Sequence, residues 1–390
     1  MKVLVNSQNK VFLTESNKAI KPPEQIGCTL RNFIGSVNSQ NILLRPQTID
    51  ELDFSGIEDF GAYSLYYAFY QKQVASSLSF PDITHISGSN ALAYAFYYSS
   101  NITSVSFPEL VTLDGANSMQ YTFGASNVVS ISFPKLESIN GSSSLANTFY
   151  NCYSLSSVEF PSLTSVNGPS GMYQCFYNCS SLVSVSFPEL VSVSGTSGLT
   201  YTLASCSKLT EVSFPKLQEG LGNNCFERLF ASCAILRSIS FPALTTVTGS
   251  YCFSYFASSC PLLETINFPV LEEASNSYVF NWAFSSCNSL KTITFPALNN
   301  IAGANTFSNT FANSTGIQSI SFPALTTTSF GSNLNQFNGM FSASTGSVSL
   351  AFTMHFPSNL SSKIQSLAGY PNFGATAGRL TLAFDLPATS

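Results

Sequence analysis

Three sets of residues in this 390-residue chain could carry chemistry, and each is defined by regular spacing. The first is a set of cysteines. Six of the ten, Cys152, Cys179, Cys206, Cys233, Cys260 and Cys287, recur at a constant interval of 27. Thiols in a row suggest metal binding or disulfides, but the chain has no Cys-x-x-Cys pair and only two histidines, His85 and His355. That supply argues against a metal centre. Ser99, Ser126 and Ser314 hold the same place in other repeats, which marks a small, weakly polar, buried slot. The expectation is a column of reduced thiols packing as small hydrophobes. A hydrolytic triad would need a histidine with an acid and a nucleophile, and neither histidine recurs in such a pattern. No catalytic residue, metal or cofactor is expected.

The second set is aromatic. One place in each repeat reads Tyr94, Tyr121, Asn147, Gln174, Tyr201, Arg228, Tyr255, Trp282, Asn309. Such residues bind sugars by stacking on a ring face and hydrogen-bonding hydroxyls. Tyr94, Tyr121, Tyr201, Tyr255 and Trp282 are therefore the candidate ligand-binding residues. The alternative is that these rings only cover gaps between neighbouring repeats. Tyr63, Tyr66, Tyr67, Tyr70, Tyr94, Tyr97 and Tyr98 crowd the N-terminal third, which makes it the better binding candidate. The third set is a double row of short hydroxyls, for instance Ser157, Ser184 and Ser238 with Ser186, Ser213 and Ser240, interrupted by Glu159 and Glu211. It lacks the Trp, Tyr and Arg anchors of protein interfaces and reads first as a solvated sheet face.

The elements that must position these sets follow from one motif. A Phe-Pro pair begins at residues 80, 107, 133, 160, 187, 214, 241, 268, 295 and 322, with a weaker copy at Phe54 and a late one at Phe356. A fixed period of 26–27 residues specifies stacked units rather than one central core. With the Phe of each pair as position 1, positions 23, 26 and 1 are apolar (Leu155, Val158, Phe160) and positions 25 and 27 polar. Period-two alternation predicts a short strand with one buried face, ended by the proline. Position 9 is Gly in eight of nine units, with Asn276 the exception, which predicts a positive-φ turn. Positions 13 and 17 carry a second apolar pair, such as Leu145 with Phe149, whose spacing of four predicts one or two turns of helix. Phe256 sits one place early in its unit, so its packing should differ. The fold class read from the sequence is α/β: a right-handed solenoid of about eleven coils, short parallel strands on one face and short helices or turns on the other.

The run Thr148-Phe149-Tyr150-Asn151-Cys152-Tyr153-Ser154-Leu155-Ser156-Ser157-Val158, with its Phe-Pro-x-Leu continuation, resembles the leucine-rich repeat of BspA-type bacterial surface proteins. The usual units of that subclass are shorter. The resemblance implies a surface recognition or adhesion module with no catalytic residues to transfer.

Residues 1–49 read as an N-terminal hairpin and cap, 50–330 as the repeat array, and 331–390 as an irregular last unit and C-terminal cap. Net charge is −5 and only 9% of residues are charged, with Lys and Arg scattered, which argues against nucleic acid as a partner. No apolar run is long enough for membrane insertion, and Met1 to Ser7 does not read as a signal peptide. The expected function is non-enzymatic binding of a cell-surface glycan or protein. The expected location is extracellular, on a bacterial cell surface or a virion, with a phage or prophage tail component in view because no leader is visible. The alternative is a passive structural spacer without a ligand.

Overall fold

The alternation before each Phe-Pro pair builds a three-residue strand whose middle residue is buried. In the computed structural model, Ser77–Ser79, Ser104–Ser106, Ser130–Ser132 and Ser157–Glu159 turn Leu78, Val105, Ile131 and Val158 inward and leave their flanking residues at the surface. The structure describes residues 2–5, 11–14, 51–332, 334–342, 351–370, 373–375 and 378–389. The chain divides after Val185 into two compact units.

In the first unit these strands pair in parallel, one repeat apart: Leu78 opposite Val105, Val158 opposite Ile131. A second parallel ladder of two-residue strands runs through His85–Ile86, Thr112–Leu113, Ser138–Ile139 and Ser165–Val166. Lys2–Val5 forms the expected hairpin with Val11–Thr14 and also pairs in parallel with Glu51–Asp53. The cap expected between them falls on residues 15–49, outside the described residues.

In the second unit Glu211–Ser213, Ser238–Ser240 and Thr265–Asn267 form one parallel ladder. Thr292–Thr294, Ser319–Ser321, Phe352–Pro357 and Leu380–Leu386 form another. The last irregular repeat thus rejoins the pattern, and Phe356 stacks on Phe322 at 5.6 Å.

Two phenylalanine columns fill the interior. At position 1, Phe80 and Phe107 stack at 4.4 Å in the first unit, and Phe241 and Phe268 at 5.5 Å in the second. At position 17, Phe69 stacks on Phe96 at 5.1 Å and Phe149 on Phe176 at 5.5 Å. These are ordinary aromatic separations, so each ring supplies its neighbour with a large buried face. Phe256 is different, as its early placement requires: it meets Phe230 and Phe284 edge-on, at 82° and 87°.

Two expectations are corrected. Positions 13 and 17 are both buried, but the segment between them is a train of turns rather than a helix. The amides of Asn90, Leu92, Tyr94, Phe96 and Tyr98 donate to carbonyls of the next coil, while those of Ala91, Ala93, Ala95, Tyr97 and Ser99 donate three residues back. An α-helix keeps every such bond within its own segment. Asn90, Tyr94 and Tyr98 also take left-handed φ of 55°, 57° and 61°, which breaks any helix. The one α-helix among the described residues is Ser361–Gln365. The architecture is therefore a parallel-strand β-solenoid, with turns where helices were expected.

The position-9 glycines are not positive-φ residues either. A Cβ on Gly115 would lie 2.3 Å from the carbonyl oxygen of Gly88, and one on Gly249 would lie 2.0 Å from that of Gly222. Glycine is required there because backbones of adjacent coils touch. The left-handed backbone lies at positions 11, 15 and 19 instead.

Candidate functional site

The turn segments place every fourth side chain on the surface, and this brings the aromatic column together. Tyr94 and Tyr121, both half-buried in the first unit, stack at 4.9 Å and 16°. Tyr67 stacks on the other face of Tyr94 at 4.6 Å and 11°. Both faces of Tyr94 are therefore covered by tyrosine, and ring edges and hydroxyls meet solvent. This differs from the open ring face expected for sugar stacking. Burial, then the neighbouring hydroxyls of Tyr67 and Tyr121, push the Tyr94 phenol up to about 12, so it stays protonated and can donate. Tyr67 and Tyr121 are raised for the same first reason.

Beside this row runs a second one at position 18 that was not singled out from the sequence. Tyr97 packs edge-on to Tyr121 at 5.3 Å, Tyr121 to Tyr150 at 6.0 Å, and Tyr150 stacks on Tyr177 at 5.3 Å. The signal was present, since 97, 150 and 177 share one repeat position. Tyr63 and Tyr98 are the most exposed of the cluster, at 43% and 50%.

In the second unit Tyr201, Tyr255 and Trp282 are likewise half-buried. Tyr255 and Trp282 lie parallel at 5.9 Å and 3°. Tyr201 and Tyr255 do not stack on each other. Arg228 lies between them, its guanidinium carbon 5.1 Å from the Tyr201 centroid and 4.4 Å from that of Tyr255.

The strand face of the first unit holds a shallow depression of about 360 Å³, lined chiefly by Ser104, Ser106, Ser130, Ser132, Ser157 and Glu159. Val105, Pro108, Ile131 and Pro134 complete its lining, so its walls mix short hydroxyls, apolar groups and one carboxylate, with no aromatic anchor.

The thiol column is as expected. Cys152, Cys179, Cys233, Cys260 and Cys287 are buried thiols, and each Sγ donates to a carbonyl of the preceding coil at 3.1–3.2 Å. Ser99 and Ser314 make the same bond with their hydroxyls. Outside that column, however, Cys225 is disulfide-bonded to Cys252, so the reduced state does not extend to every cysteine of the chain. Coil stacking also gives each histidine an acid that the sequence pattern did not reveal. His85 Nε2 lies 3.6 Å from Asp59, and His355 Nδ1 lies 2.9 Å from Asp385. Among the described residues no group of three or more His, Cys, Asp or Glu could hold a metal ion, and no helix is long and apolar enough to cross a membrane.

Parallel coils with a buried Leu-x-x-Val-x-Phe face define a leucine-rich-repeat-type solenoid. The model of the BspA type leucine rich repeat region matches in six copies over residues 65–197, 119–255 and 201–340, and the chain belongs to that family. Among solved structures it is similar to a leucine-rich repeat protein from Bacteroides ovatus, at 17% identity over 84% of this chain and 87% of that one, TM-score 0.37. It is similar to a leucine rich cell surface protein from Faecalibacterium prausnitzii, at 18% identity over 69% and 78%, TM-score 0.27. A third similar structure is a leucine-rich repeat protein from Eubacterium ventriosum, at 15% identity over 77% and 78%, TM-score 0.35. A comparison with curated protein sequences gives no significant match.

Proposed function

We propose that this chain is a non-enzymatic recognition or adhesion module on an outer surface, of a bacterial cell or of a phage particle, and that it binds glycan or protein through its tyrosine-lined turn face. Membership of the BspA-type family supports the class of function. The observation that carries the choice of face is the Tyr67–Tyr94–Tyr121 stack, flanked by Tyr97 and the exposed Tyr98. Phenol edges held rigid by stacking lose little side-chain entropy on binding, and their hydroxyls both donate and accept. A glycan is the ligand that such a row of hydroxyls and apolar edges suits best.

The sealing of both Tyr94 faces favours the second reading, in which the stack only holds coils together and the chain is a spacer. The double variant Tyr94→Phe with Tyr121→Phe separates the two. It keeps the stack and removes the hydroxyls. Recognition predicts weaker binding on a glycan array or to cells, with an unchanged melting temperature. A chain that binds no glycan and no cell surface, with or without the substitutions, is the spacer.

A further inference from the structure

We infer that Arg228 and the rings around it form a subsite for the carboxylate of an acidic sugar, deepening the glycan reading above and resting on it. Tyr201, Arg228, Tyr255 and Trp282 occupy the same repeat position in four successive coils, and Arg228 is the one cation among the nine residues of that column from Tyr94 to Asn309. The guanidinium carbon lies over the rings of Tyr201 and Tyr255, which favour a cation there. Nη1 donates to the Tyr201 hydroxyl. Nε is buried without a hydrogen bond, 3.6 Å from a Glu227 oxygen, and the other Glu227 oxygen accepts from Asn224 Nδ2 at 2.6 Å. The side chain is nevertheless 35% exposed. Nη2 has no hydrogen-bond partner among the described residues and, unlike Nε, is not buried, so its donors face solvent.

A guanidinium fork is shaped for a planar carboxylate, and the charge strengthens each bond. The parallel Tyr255–Trp282 pair continues the column beyond the cation, half-buried, with ring edges available to a sugar. Together they describe a ligand that is carboxylate at one end and carbohydrate beyond it, such as a uronic acid residue. A nucleic acid would need several cations in a row, and the column has one.

The test titrates the full-length chain with an oligogalacturonate and with its methyl ester, which keeps the sugar rings and removes the charge. The inference expects the acid to bind at least about tenfold more tightly than the ester, the worth of a charge-assisted hydrogen-bond pair. Arg228→Gln should abolish that preference, and Arg228→Lys should retain part of it. Equal affinity for acid and ester, no binding of the acid at millimolar concentration, or a preference that survives Arg228→Gln would each overturn it. Polyglutamate binding as tightly as oligogalacturonate would also overturn it, in favour of an acidic protein partner. Should Arg228→Gln fail to fold, the acid–ester comparison on the unaltered chain still decides. Neutral-glycan binding that is sensitive to Tyr94→Phe with Tyr121→Phe, without any preference for the acid, would leave the broader reading standing and remove only this subsite.

Discussion

The ring of Tyr97 lies in the space that a side chain at Gly124 would need. A Cβ built on Gly124 would come within 2.6 Å of Tyr97 Cε2 and 2.7 Å of Cδ2. Tyr97 and Gly124 hold the same repeat position in successive coils, so one coil gives up its side chain to let the ring of the other lie flat over it.

Gly124→Ala should therefore cost stability by overpacking, on the order of 1–3 kcal/mol. The cost should fall to near zero in a Tyr97→Ala background, because the clash is with that ring alone. Urea midpoints of the two single variants and the double variant check this. Additive costs would mean that the glycine serves something else.

Phe149 and Phe176 are fully buried and stack on one another across two coils. Phe149→Ala should cost about 3–5 kcal/mol. Because a coil touches only its neighbours, amide-exchange protection should fall mainly in the units beside residue 149. An even loss from residue 54 to Val185 would show that the first unit melts as one block.

The buried thiols set an alkaline limit. Burial pushes Cys152 up to about 11 and Cys260 up to about 12, and holds Cys175, Cys233 and Cys287 well above the ordinary thiol range. A raised folded pKa means that the unfolded chain releases protons first as pH rises. The contribution to stability is complete below about pH 8.5 and is then lost by about 1.4 kcal/mol per pH unit for each such thiol. Urea midpoints should thus be level between about pH 7 and 8 and fall steeply towards pH 10. A flat profile would show that these thiols are not shielded from water.

The thiol column should also accept hydroxyls. Cys179 donates to the Phe149 carbonyl just as Ser99 donates to that of Phe69, so Cys179→Ser should stay within about 1 kcal/mol of the parent. Alkylation of the denatured, unreduced chain should label Cys152, Cys179, Cys206, Cys233, Cys260 and Cys287 and spare Cys225 and Cys252. Labelling of those two would remove the bridge.

The strands, the Phe columns and the small polar slot were legible because each leaves one apolar or small residue per coil at a fixed place. The odd packing of Phe256 was legible for the same reason. The turns were not. A spacing of four buried residues at Leu92 and Phe96 is shared by a helix and by turns whose amides alternate between two coils, and only the partner coil distinguishes them. The glycine column was misread because a glycine chosen for close approach, as at Gly115, looks the same in sequence as one chosen for φ. At the candidate site the residues were legible but their mutual cover was not. No single-coil pattern says that Tyr67 and Tyr121 will close the two faces of Tyr94, or that Arg228 will enter between Tyr201 and Tyr255.

The alternating amides make coil length a matter of phase. From Asn90 to Ser99, even-numbered amides belong to the next coil and odd-numbered ones to their own turn. Inserting or deleting one residue there would exchange the two sets beyond the change and break the register of the bonds to the next coil. The two short units of the first half avoid this. The step from Phe54 to Phe80 is 26 and the residue is missing between Phe60 and Gly61; the step from Phe107 to Phe133 is 26 and it is missing between Ser126 and Val128. Both gaps lie outside the alternating run. The chain can therefore drift in length only at the seams between its strands and its turns, and any loop grafted into this scaffold would have to enter there.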